Sequence, residues 1–227
     1  MKIKSDFYKI LFVIIFAFFL FNCKKESATD SGSSGSITDI DGNVYHSVKI
    51  GTQVWMVENL KTTKYRNGDP IINATANWAY QITGAYCWYN NDESNKDTYG
   101  ALYNWNSVND SRNVAPTGWH VPSDAEWKTL QSSEVFPYPA ANLVETGTAH
   151  WRSRPNMGTN KTGFTALPGG MPDNLGSFRD QGISGYWWSA TEKSTTEAFG
   201  WEIDSTCELL DWPLFKTDGL SIRCIKD

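Results

Sequence analysis

The chain has 227 residues with 25 acidic against 20 basic side chains and a formal net charge of −5. It has no basic stripe to neutralise phosphates, which excludes nucleic acid as the expected partner. The 11 Trp, 10 Tyr and 18 Gly, with only 20% charged residues, favour short strands, tight turns and loops wrapped around ring side chains over long amphipathic helices.

Lys2, Lys4 and Lys9 with a single Asp6 make a positive start, and Ile10 to Phe21 is an unbroken apolar run closed by Leu20-Phe21-Asn22-Cys23. A run of about 12 residues spans roughly 18 Å as a helix, short of the ~30 Å hydrocarbon core, so it reads as an export signal and not a membrane span. The segment resembles a bacterial lipoprotein signal, with Leu20 three residues before the cysteine that would be acylated. Residues 1–22 are therefore expected to be removed and Cys23 lipidated, each buried acyl methylene contributing ~0.8 kcal/mol to the anchor. The membrane is then a partner through this lipid. The expected location is extracytoplasmic, at the bacterial outer membrane or cell surface. Residues 1–22 carry three Lys and one Asp, so their loss moves the net charge from −5 to −7.

Residues 23–36 form a Ser/Gly-rich stretch of mixed charge with no large apolar side chain, the composition of a flexible tether. Ile37 to Asp227 is one domain's worth of chain. Asp41-Gly42 and Gly51-Thr52 sit between β-rich runs, so Ser36–Ile40, Asn43–Ile50 and Gln53–Val57 predict an N-terminal three-stranded β-meander. A long irregular stretch runs from Lys61 to Tyr89. Ser123-Asp-Ala-Glu126 is a capping box, and it predicts a helix start whose Ser, Asp and Glu are explained by capping and not by hydrolysis. Gly163–Leu167, Gly185–Thr191, Ala198–Asp204, Thr206–Pro213 and Leu220–Lys226 predict strands between Gly/Pro/Asp turns. The fold class is α+β, an antiparallel sheet with one or two short helices and long loops.

Seven ordered blocks then carry a resemblance. They include Val48 to Leu60 (Val-Lys-Ile-Gly-Thr-Gln-Val-Trp-Met-Val-Glu-Asn-Leu), Gly84 to Asp92, Tyr99 to Trp105 and Pro116 to Trp127 (Pro-Thr-Gly-Trp-His-Val-Pro-Ser-Asp-Ala-Glu-Trp). Gly163 to Gly170, Gly185 to Glu192 (Gly-Tyr-Trp-Trp-Ser-Ala-Thr-Glu) and Ser221 to Asp227 (Ser-Ile-Arg-Cys-Ile-Lys-Asp) complete the set. Together they resemble the Fibrobacter succinogenes major paralogous domain, a family of exported, often lipid-anchored bacterial surface proteins. Val121 to Trp127 and Leu220 to Cys224 are in turn distantly similar to blocks of the C-type-lectin-like scaffold shared with formylglycine-generating enzymes. That likeness implies a C-type-lectin-like domain and settles no activity.

The scaffold implies ligand binding from long loops. Met171 to Asp180 supplies Asp173, Asn174, Arg179 and Asp180, while Trp151, Arg152 and Trp212 offer faces and charge for a glycan or a surface protein. Lectins of this scaffold sometimes hold sugars through calcium, but the signatures Glu-Pro-Asn and Trp-Asn-Asp are missing here, so no metal site is assigned. In family members a cysteine often precedes the Pro-Thr-Gly-Trp-His block, where this chain has Ala115; a Cys207–Cys224 disulfide is one pairing left open, with Cys87 over. The oxidase branch of the scaffold uses two cysteines close together on one segment, unlike these.

Among other catalytic constellations, no His-x-x-x-His, Cys-x-x-Cys or Gly-x-Ser-x-Gly occurs. His120 reads as a satisfied histidine and not a base, and Glu58, Glu145, Asp173, Glu192 and Asp204 each have a capping or surface reading. The expectation is a non-enzymatic binding or adhesion module. Its alternatives are a degenerate enzyme of the formylglycine-generating scaffold and a purely structural envelope protein.

Overall fold

Strands here are short because glycines and left-handed residues interrupt almost every apolar run. The computed structural model describes residues 36–75, 77–133, 140–152 and 158–227. The signal, Cys23 and all but the last residue of the tether lie outside the described residues. Among those described, no helix is long and apolar enough to cross a membrane.

The N-terminal strands β1 (Ile37–Thr38) and β2 (Val44–Tyr45) pair antiparallel, as do β3 (Ser47–Ile50) and β4 (Gln53–Met56). The expected three-stranded meander is thus two hairpins in different sheets. The run Asn43–Ile50 breaks at His46, whose amide donates to Glu58 Oε2 at 2.8 Å in place of a strand neighbour. Asp39 closes the first hairpin by accepting from the amides of Asp41 and Asn43 and from the Tyr45 hydroxyl at 2.6 Å. The second turns at Gly51 with φ +59°, a value glycine adopts without steric cost.

The middle of the chain forms a small sheet. β5 (Ile72–Asn73) runs parallel to β6 (Ala85–Cys87), and β7 (Leu102–Tyr103) pairs antiparallel on its other side. Two four-residue helices, α1 (Lys96–Tyr99) and α2 (Trp105–Val108), flank β7. After β8 (Trp119–His120) comes the nine-residue α3 (Asp124–Ser132), which starts at the capping box read from the sequence: Ser123 accepts from the Glu126 amide while Glu126 accepts from that of Ser123.

The C-terminal half holds the hairpin β9 (Met171–Pro172) with β10 (Phe178–Arg179) and the longest strands, β11 (Gly185–Glu192), β12 (Glu197–Ile203) and β13 (Leu209–Phe215), in an antiparallel meander. β14 (Ile225–Lys226) lies between β4 and β8. The result is mostly β, several antiparallel sheets with a few short helices, of α+β character. Two expected strands are reduced. Gly163 and Thr165 take φ of +75° and +57°, so Gly163–Leu167 keeps only a single bridge, Ala166 to Val144. Leu220–Lys226 is strand only at its end; before that it meets Tyr103 and Trp187 through isolated bridges at Leu220 and Ser221.

Strand alternation divides the interior. Met56, Trp188 and Cys224 face one buried cluster, while their chain neighbours Trp55, Trp187 and Ile225 face another. β4, β11 and the last segment therefore form a wall that carries apolar side chains on both sides. Trp127 stacks on Trp201 with centroids 5.8 Å apart and meets Trp55 at 4.8 Å. Each ring pair contributes about 0.5–1.5 kcal/mol beyond area burial. Of the 11 tryptophans, Trp212 alone is exposed, at 47%.

Candidate functional site

The β9–β10 hairpin and the end of β13 enclose a cleft of about 300 Å³ lined by Asp173, Asn174, Arg179, Glu197, Phe215 and Asp218, with Pro213 and Leu214 as apolar wall. Local chemistry positions each group. Asp173 caps its own turn, its Oδ1 accepting from the amides of Leu175 and Ser177 at 2.9 Å each, and Gly176 completes the turn at φ +86°. The backbone amide of Asn174 faces the Asp218 carboxylate and favours its charged form. Asp218 also accepts from the Phe215 amide at 2.9 Å, and the Gly219 amide donates to Pro172 O at 3.0 Å. The hairpin and the β13 turn are clamped together through these bonds.

Asp218 is only 4% exposed. Burial pushes its carboxyl up to about 6; the amides of Phe215 and Asn174 and the Arg179 charge pull the other way without cancelling that rise. Arg179 stands at the exposed rim, 3.8 Å from Asp180. The cleft thus offers carboxylate acceptors, one rim cation, the Asn174 side chain and the exposed Phe215 ring. That set can accept hydrogen bonds from hydroxyl or amide donors. Among the described residues no group of three or more His, Cys, Asp or Glu side chains is arranged to hold a metal ion.

Three of the sequence-selected residues, Asp173, Asn174 and Arg179, meet in this cleft; the other four do not line it. Trp151 is a core residue, 1% exposed, its indole N–H donating to Ala166 O at 3.2 Å. Arg152 packs over Gly182 with its amide bonded there. Asp180 sits at a left-handed corner, φ +66°, accepting from the Tyr186 hydroxyl at 3.0 Å. Trp212 is exposed on the edge strand β13. Asp218, Glu197 and Phe215 escaped the sequence reading. Asp218-Gly219 carried a turn signal only, and its burial arises from a hairpin some 45 residues upstream.

The Cys207–Cys224 pairing left open by the sequence is not formed. Cys224 is a free, fully buried thiol in the first cluster, whereas Cys207 lies in the second, on the far side of the wall. Burial pushes the thiols of Cys87 and Cys224 well above their usual range, which makes them inert. His120 bridges Asp227 at 2.7 Å and Glu126 at 3.0 Å. Its partial burial favours the neutral ring, but Asp227 and Glu126 outweigh this and raise its pKa. The five carboxylates that might have paired are each engaged locally: Glu58 with His46, Glu145 with His150, Glu192 with Lys216, and Asp173 and Asp204 with turn amides.

A family profile described as the Fibrobacter succinogenes major domain matches residues 48–226. The chain belongs to that family. The Fibrobacter succinogenes major domain of this chain thus begins on β3 and ends on β14 and contains the four-stranded sheet apart from Ser47, together with the cleft. The β1–β2 hairpin precedes the matched span, yet Ile37 and Tyr45 belong to the first core cluster. No curated protein and no solved structure matches the chain.

Proposed function

We propose that this member of the Fibrobacter succinogenes major domain family is a lipid-anchored cell-envelope protein. Its domain, on a C-type-lectin-like scaffold, binds a glycan or a surface protein without chemical turnover. The observation that carries the binding reading is the β9–β10 cleft, where a buried carboxylate, an amide, a rim arginine and an exposed ring converge on one volume. Buried acceptors recognise hydroxyl-rich ligands through hydrogen bonds that water cannot replace, and a ring offers a stacking face. Deeply buried thiols with raised pKa support a non-enzymatic role over a cysteine oxidase. The export signal ending at Cys23 supports the anchor.

A glycan array probed with residues 24–227 tests the reading. One glycan class is expected to bind, with Arg179→Ala and Asn174→Ala each weakening it by about 1–3 kcal/mol. Binding that survives both changes, or no binding to any glycan or envelope protein, contradicts the proposal. For the anchor, Cys23→Ser is expected to move the protein out of the membrane fraction or leave an unprocessed precursor; unchanged detergent partitioning and mature size contradict it.

A further inference from the structure

A second cleft, of about 340 Å³, is lined by Glu58, Asp97, Thr98, His150, Leu167 and Arg223, among others. Arg223 is 1% exposed, and among the described residues its three hydrogen bonds all go to neutral groups. Nε and Nη2 donate to Asn59 Oδ1 at 3.0 and 2.8 Å, and Nη1 donates to Phe164 O. A guanidinium carries five N–H bonds, so each nitrogen has one acceptor and two N–H bonds are left without one among the described residues. The Phe164 and Trp187 rings lie 4.2 and 5.5 Å from its central carbon. They offset part of its charge and form no hydrogen bond with it in the plane of the fork.

The other charged lining groups are already matched. Glu58 holds His46 at 2.6 Å, Asp97 holds Lys61 at 3.3 Å, and His150 holds Glu145 at 2.9 Å. Arg223 is the lining cation with no ion pair among the described residues; the Glu58 charge acts on it through space and favours its charged form. A buried arginine charge is retained at high desolvation cost, and the residue's planar fork matches a carboxylate.

We infer that the Arg223 cleft is an anion subsite that takes a single carboxylate group of a small organic acid. The site is separate from the β9–β10 cleft and does not depend on what that cleft binds. The carboxylate belongs to a sugar acid or to a peptide C-terminus, and both present the same planar acceptor pair. Galactose or another neutral sugar offers Arg223 only uncharged hydroxyl acceptors and no planar charged pair.

The test is a thermal-unfolding titration of the full-length chain in detergent with sodium acetate, held at constant ionic strength with sodium chloride. A saturable rise is expected, roughly 3–6 °C at ten times the dissociation constant. Galacturonate and N-acetylglycine identify the source of the group, and a saturable response to either supports the subsite. Arg223→Met is expected to abolish the response. If that variant fails to fold, Thr98→Trp, at an exposed position on the cleft lining, is expected to fold and to weaken the acetate response at least tenfold. A wild-type rise that does not saturate, or a response that Thr98→Trp leaves unchanged, overturns the inference.

Discussion

The two clefts are inverses of one another. In the β9–β10 cleft a carboxylate, Asp218, is buried and the cation, Arg179, stands at the rim; in the other a cation, Arg223, is buried and the carboxylates Glu58 and Asp97 belong to the more exposed part of the lining. The hydrogen bonds to both buried charges come from neutral dipoles, backbone amides for Asp218 and an amide oxygen and a carbonyl for Arg223, while Arg179 and Glu58 act on them through space. The consequence differs with the chemistry of the group. A carboxylate relieves its burial by taking up a proton, and Asp218 is pushed up to about 6. Burial lowers the Arg223 pKa only to about 9, so it keeps its charge at neutral pH.

The largest effect is expected where the buried cation loses its support. Asn59 Oδ1 accepts from Arg223 twice and from the Trp187 indole at 2.8 Å. Asn59→Ala leaves all three donors short of an acceptor and should cost about 3–5 kcal/mol in urea unfolding. A loss under about 1 kcal/mol would mean the neutral cage is not what holds Arg223.

Asp218→Asn sharpens the comparison through pH. Because the folded pKa lies above the unfolded one, the folded state binds more protons between about pH 4 and 6, and this group's contribution to stability rises as pH falls through that window. The difference is about 1–3 kcal/mol, and the Asn variant should lack it. Unfolding midpoints measured from pH 7 to 4 would expose the error if both proteins gave the same profile.

Smaller effects are expected at the rim. Asp173→Ala removes the acceptor of two turn amides and should lower stability by about 1 kcal/mol while also weakening any ligand of that cleft. Arg179→Ala, at an exposed position, should shift stability by no more than about 0.5 kcal/mol and leave its effect to ligand binding. A large stability loss there would show that Arg179 is part of the frame and not a free rim group.

Local signals were legible in the sequence where the partners lie a few residues apart. The Ser123–Glu126 capping box, the Gly51-Thr52 turn and the β11–β13 meander follow from neighbouring residues. What was not legible depends on distant chain. His46 ends a strand because Glu58 takes its amide, and Asp218 becomes the floor of a cleft because Asn174 closes over it. The Cys207–Cys224 pairing failed for a similar reason: alternation along the last segment turns Cys224 away from the cluster that holds Cys207. Trp151 read as a binding face because its burial is set by the Phe164–Ala166 segment. Asp173, Asn174 and Arg179 came together because one hairpin carries all three.

The most direct test of the inverted clefts is a carbon- and nitrogen-detected NMR titration from pH 4 to 8 that follows the Asp218 carboxyl and the Arg223 guanidinium in one sample. The Asp218 carbon should titrate near pH 6 while the Arg223 nitrogens keep the shifts of a charged guanidinium throughout. An Asp218 midpoint near the ordinary value of about 4, or an Arg223 signal that reports loss of its proton within this range, would contradict the account.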